Sequence, residues 1–240
     1  MENAIIMDSD KAIIYDDTCP MCKIYTSAFV KNGLLTEQGR ISFAELQENN
    51  ACQIDFEKGR HEIPLIDLNG GKTIYGLDSM VYLLNRRFKI VGTLMKIKPI
   101  YWFFKKLYTL VSYNRRVIAP SKKQIIKYDC APDFNLKYRL IYIGLALIIS
   151  AFIFNNAIQI VEPNSTIKSI LSIALIAGFS GALFFNDKMV IEYLGQWATV
   201  LLVGSLIILP ILVIPSVTFT LSTLALFTMS WRFKLAFHNL

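Results

Sequence analysis

Residues that could bind metal are scarce in this chain. It holds two histidines, His61 and His238, and four cysteines, of which Cys52 and Cys130 stand singly. A structural zinc site needs about four N or S ligands. No second paired knuckle accompanies Cys19 and Cys22, so a metal reading of that pair has only scattered partners. The first twenty residues lack the basic start and long apolar core of a signal peptide and carry Asp8 and Asp10 instead. This places the N-terminal region in the cytosol. Thiols are kept reduced there, and a cysteine pair is more often catalytic or metal-binding than a structural bridge.

Charge is nearly missing from residues 140–240, with four basic and three acidic side chains. Residues 1–85 carry 7 Lys/Arg against 13 Asp/Glu, and residues 86–139 carry 14 against 2. The overall +7 therefore sits in one connector and is no nucleic-acid signature. Three regions follow: an acidic head over 1–90, a basic amphipathic helical connector over 91–139, and a membrane region over 140–240. Uncharged runs from Leu140 to Val161, from Ser169 to Asn186 and from Tyr193 to Trp231 suit about four spans, since each needs about 20 residues. The last run holds two spans if the chain turns near Pro215-Ser216. Lys137, Arg139, Lys188, Arg232 and Lys234 flank one side, which places both termini in the cytosol of a multi-pass protein, in a bacterial cytoplasmic membrane. The spans hold no cysteine and, on this reading, no buried ionisable residue, so they read as an anchor or a scaffold for a membrane protein partner.

The chemistry concentrates at Tyr15-Asp16-Asp17-Thr18-Cys19-Pro20-Met21-Cys22. An apolar run, Ala12 to Tyr15, reads as a strand, and the stretch after the turn reads as a helix. Cys-x-x-Cys at such a turn is the layout of a dithiol/disulfide redox site. Pro20 fits the first helical position, where no N–H is missed. Cys19 falls at the N-cap, where unpaired N–H groups and the helix dipole favour a thiolate, the reactive form. Cys19 is then the nucleophile, nearer solvent, and Cys22 the more buried resolving thiol. Two other readings are half of a zinc site and a pair of inert buried thiols. Asp16 is either a proton acceptor for Cys22 or an Asx-turn side chain bonding the loop amides.

Beyond the pair, helical spacing runs to a stop at Lys31-Asn32-Gly33, and Ile41 to Ala44 reads as a second strand. Two short apolar runs around Asn69-Gly70-Gly71 make a hairpin, and Gly76 to Phe88 is helical again. The order β-α-β-α-β-β-α gives an α/β head followed by an all-α membrane domain.

This order resembles the thioredoxin superfold, and Cys-Pro-x-Cys is most similar to glutaredoxins. The superfold implies that Ile63-Pro64 is a cis-proline element facing the cysteines and binding substrate backbone. It also implies that Gly76 and Asp78 lie where glutaredoxins hold glutathione, although Asp78 also suits a helix cap. Asp-x-x-Cys-x-x-Cys, taken with Tyr108 to Arg116, resembles the DCC family of thiol-disulfide oxidoreductases over residues 11–118. That resemblance implies a disulfide or thiol substrate and no cofactor beyond the Cys19–Cys22 couple, with glutathione as one candidate thiol. Asp17 stands where many relatives have Gly, and with Asp16 it opposes thiolate formation, so only a modestly lowered Cys19 pKa is expected. In the connector, Leu94 to Val111 forms an apolar stripe with Lys96, Lys98, Lys105 and Lys106 largely off it, suited to membrane lipid or to packing on the head. Cys130 reads as a relay thiol or a bystander.

Overall fold

The computed structural model describes residues 10–46, 54–120, 132–160, 187–212 and 218–238, with scattered residues between 168 and 180. Cys52, Cys130 and most of the proposed second span lie outside them, as does the proposed turn at Pro215-Ser216. The chain divides into two compact units, Met1–Phe134 and Asn135–Leu240.

The first unit is built on a small mixed sheet. Strand β1 (Lys11–Tyr15) leads into α1 (Pro20–Lys31), then β2 (Arg40–Ser42). After α2 (Phe56–His61) come β3 (Pro64–Asp67), β4 (Ile74–Tyr75) and α3 (Leu77–Arg87). The strand order is β2-β1-β3-β4, with β1 parallel to β2 and antiparallel to β3. Side chains alternate across a strand, so β1 feeds two cores. Ile13 and Tyr15 join Cys19, Cys22, Phe29, Ile63, Leu65 and Leu83 on one side, while Ala12, Ile14 and Ile66 join Phe43 and Ile54 on the other. Helix α1 closes the first core through Cys22, Thr26 and Phe29, one helical face. Lys11 and Asp67 pair across the two central strands, where β1 begins and β3 ends.

The second strand is shorter than its apolar run. Ser42 caps a single 3-10 turn, Phe43–Glu45, by accepting from the Glu45 amide at 3.1 Å, which takes Phe43 and Ala44 out of the sheet. Gly76 is the N-cap of α3 at φ 65°, ψ −130°, a region open essentially to glycine. A Cβ there would also lie 3.1 Å from the Glu62 side chain. Gly76→Ala should therefore cost about 1–3 kcal/mol of head stability, read as lower hydrogen-exchange protection of α3 and β3 amides.

The apolar stripe from Leu94 to Val111 is two helices, not one: α4 (Lys89–Met95) and α5 (Lys98–Ile118). Pro99 explains the break, because a proline is accommodated in a first turn but not within a helix.

In the second unit, α6 (Leu136–Ile160), α7 (Asp187–Ile208) and α8 (Thr218–His238) pack together. Among the described residues two helices are long and apolar enough to cross a membrane, Leu136–Ile160 and Met189–Ile208, where four spans were expected in the whole chain. Helix α7 stops at Ile208, and Pro210 falls in a 3-10 turn, Leu209–Leu212, as a residue without an N–H would dictate. Arg139 is ion-paired to Glu192 at 2.7 Å, and Tyr142 is bonded to Thr199 at 2.7 Å. These contacts join the beginnings of α6 and α7, and Phe154 meets Ile208 near their ends, so the two helices run in the same direction. Arg139 is buried, which corrects the expectation that the apolar helices hold no buried ionisable group. The boundary moved: α6 begins four residues before Leu140 and brings Arg139 into the helix.

Candidate functional site

The dithiol sits where β1 hands over to α1. Cys19 is the N-cap residue with extended backbone, and Pro20 opens the helix, as its fixed φ favours. Both cysteines are free thiols. Each is only 2% exposed, so Cys19 is not the more open of the two. The reason is that Cys19 faces the first core along with Cys22, Ile63 and Leu83, leaving Pro20, Lys23 and Ile24 as exposed residues beside it.

The two sulfurs differ sharply in proton affinity. Cys19 is lowered from 9.0 to about 6, first because the Cys22 thiol hydrogen-bonds it. The Cys22 amide and the Arg115 guanidinium add to this, while burial and Asp16 oppose it. Cys22 is pushed up, by donating its own hydrogen bond to Cys19 and by burial. The Tyr25 hydroxyl also bonds Cys22, and burial holds that phenol well above its usual value. One thiolate is thus shared across the pair and centred on Cys19.

Asp16 is 3% exposed and uses both oxygens. Oδ1 accepts from the Thr18 amide at 2.9 Å and the Thr18 hydroxyl at 2.6 Å, the Asx-turn arrangement. Oδ2 accepts from Arg115 at 3.3 Å. The Asp16 carbonyl accepts the Cys19 amide at 3.2 Å. The motif aspartate therefore shapes the loop and anchors a buried cation.

That cation comes from α5. Tyr108, Ser112 and Arg115 stand at i, i+4 and i+7, one helical face. The Tyr108 hydroxyl accepts from the Ile63 amide at 2.9 Å, the Ser112 hydroxyl donates to the His61 carbonyl, and Arg115 reaches Asp16. Burial raises the Tyr108 phenol to about 12, so it stays a neutral partner. Arg115 had no assigned role in the sequence reading, which searched α5 for an apolar stripe. The signal was a polar stripe at heptad spacing.

Ile63 and Pro64 part company across the sheet. Ile63 lies in the core that holds the cysteines, and its carbonyl accepts from the Gly76 amide at 3.0 Å and the Ser79 hydroxyl at 3.1 Å. Pro64 is buried with its ring toward Gly59, near Phe43 and Ile54 on the other side. The Ile63–Pro64 bond is trans, correcting the cis expectation: no cis peptide occurs among the described residues. Pro64 opens β3, where its missing N–H leaves no gap in the ladder, so an ordinary strand start accommodates it. Gly76, not Asp78, caps α3. Asp78 lies in the first turn, exposed, and accepts from the Tyr101 hydroxyl at 3.0 Å.

His61, the described histidine considered as a metal ligand, faces Asp133 at 3.0 Å and stacks on Tyr113. Among the described residues no group of three or more His, Cys, Asp or Glu side chains is placed to hold a metal.

A dithiol on the first turn after the leading strand of a four-stranded mixed sheet, with one sulfur poised as thiolate, defines a thiol-disulfide redox protein. Residues 13–119, from β1 to the end of α5, match the model of the DCC1-like thiol-disulfide oxidoreductase family. No curated protein and no solved structure matches the chain.

Proposed function

We propose that the chain is a membrane-anchored thiol-disulfide oxidoreductase with a thioredoxin-like head in the cytosol, Cys19 as nucleophile and Cys22 as resolving thiol. The observation that carries this is the asymmetry of the pair, with Cys19 lowered to about 6 and Cys22 raised. The Cys19 thiolate attacks one sulfur of a substrate disulfide; a Cys19–substrate disulfide forms and the other substrate sulfur leaves as thiolate. Cys22 then gives up its proton and attacks Cys19, closing the Cys19–Cys22 disulfide and releasing the second substrate thiol. Two electrons pass to the substrate, and an external thiol, glutathione or a second dithiol, restores the pair. The exposed Pro20 and Ile24 beside the dithiol suit contact with an apolar stretch of substrate.

The pH dependence tests the nucleophile. Alkylation of Cys19 in the reduced full chain by iodoacetamide should rise with a midpoint near pH 6 and level off above about 7, because only the thiolate reacts. A midpoint near an ordinary thiol's ~8.5 would remove the basis of the assignment.

The parallel course of α6 and α7 supports a four-span anchor. Helix α6 at 25 residues is about 37 Å long, and the chain between Ile160 and Asp187 must return that distance to start α7 in parallel. With an intervening span and α8, both termini fall on one side.

Burial of both sulfurs favours a second reading, a membrane-bound redox sensor that is oxidised by small oxidants and changes a partner contact. Catalytic turnover of a protein or small disulfide would rule that reading out.

A further inference from the structure

The face of α4 and α5 that points away from the head is large, apolar and basic. Tyr101, Tyr108, Ser112 and Arg115 fix one side of α5 to the head. At about 100° per residue, Trp102, Phe103 and Lys106 lie on the opposite side. Trp102 is 63% exposed and Phe103 57%; Ile90 and Leu94 on α4, with Ile97 at the junction, are exposed as well. Such a run of apolar side chains marks an interaction surface. Its charge is of one sign: between Asp78 and Asp129 the chain has twelve Lys/Arg and no Asp or Glu. Lys106 lies over the Trp102 ring, a cation beside an interfacial aromatic.

We infer that this face docks on an anionic lipid surface, with Trp102, Phe103, Ile90 and Leu94 at the headgroup–acyl boundary, Lys106 among the phosphates, and the long side chains of Lys96, Lys98 and Lys105 reaching them from the rim. Uniform positive charge opposes a second copy of the same face and complements anionic headgroups. Tryptophan is the residue that collects at this depth. Seventeen residues separate Ile118 from Leu136, the start of a helix of bilayer length, so a short tether holds the face at high effective concentration beside lipid. This inference goes beyond the redox assignment and rests on the reading that the second unit lies in a bilayer.

The test uses the full chain with Trp197→Phe and Trp231→Phe, leaving Trp102 as the sole tryptophan, reconstituted into vesicles. With phosphatidylglycerol as a minority component in phosphatidylcholine, lipid brominated near the glycerol end of its acyl chain should quench Trp102 by about twofold, and acrylamide should quench it less. Pure phosphatidylcholine, high salt, or the variant K96E/K98E/K105E/K106E should each reverse both effects. Full acrylamide access with no bromolipid quenching would place the face in water and overturn the proposal. Shielding from both quenchers would mean that protein covers it, and equal quenching in pure phosphatidylcholine would overturn the anionic requirement. Flotation of the same protein with vesicles after a carbonate wash reads the spans separately. A chain that floats but keeps Trp102 in water refutes the docking alone, whereas one that does not float refutes the bilayer reading beneath it.

Discussion

Replacing Cys22 by serine will leave a protein that captures a small disulfide through Cys19 and holds it, while Cys19→Ser will neither capture nor turn over substrate. The argument is the direction in which each sulfur is shifted. Cys19 is the thiolate at neutral pH, pulled to about 6 by the Cys22 hydrogen bond and by Arg115, whereas Cys22 is held protonated as the donor of that bond. Loss of the nucleophile removes the covalent step, so turnover should fall by several orders of magnitude. Serine at 22 retains a donor to Cys19 but cannot resolve the adduct. Intact mass of the two variants after exposure to a small disulfide decides the matter: one adduct on Cys22→Ser, none on Cys19→Ser. Adducts on both in equal yield would deny a distinct nucleophile, and an adduct on Cys19→Ser alone would reverse the roles.

Arg115→Met should be the most damaging substitution outside the cysteines. It leaves Asp16, 3% exposed, as a buried carboxylate without its cation, and breaking a buried pair this way costs about 3–5 kcal/mol. Hydrogen exchange of β1 and α1 amides in the detergent-solubilised full chain reads that loss in the head alone. The same variant removes a positive charge that favours the Cys19 thiolate, so its alkylation midpoint should move up from about 6. Because Cys19 is depressed in the folded state, its contribution to the stability of the reduced protein is present above the unfolded thiol value near 9 and is lost as pH falls through about 6. Without Arg115 that window narrows from its lower end. Adding Asp16→Asn to Arg115→Met should recover stability but only part of the low midpoint, because Asp16 opposes the thiolate less than Arg115 favours it. Full recovery of both would mean that Arg115 acts on the thiol only through Asp16.

The order of strands and helices in the head was legible because its signals are local. The apolar run Ala12 to Tyr15, Pro20 after Cys19, and Asn69-Gly70-Gly71 between two apolar runs each dictate their own neighbourhood. Cys19 and Cys22 were legible for the same reason, since their proximity follows from spacing on one helical turn. What could not be read is long-range. Arg115 and Tyr108 reach the site only because α5 packs back over the sheet; the polar stripe Tyr108, Ser112 and Arg115 marks a face of the helix but not the surface it will meet. The Pro64 ring faces away from the cysteines because strand alternation, not its sequence neighbourhood, decides the side. Hydropathy marks only the uncharged run from Leu140; that α6 already starts at Leu136 and carries Arg139 depends on Glu192 lying beside it.

The contact between Asp16 and Arg115 joins positions 99 apart, and this sets an order of events in biosynthesis. Cys19 and Cys22 leave the ribosome before α5 does. Until α5 has followed and folded back, the motif lacks its cation, and Cys19 lacks one of the forces that hold it as thiolate. The young chain therefore carries more nearly ordinary cysteines through the period when it is unfolded and surrounded by other nascent thiols. The last part of the Cys19 shift, the part that Arg115 supplies, therefore waits for α5.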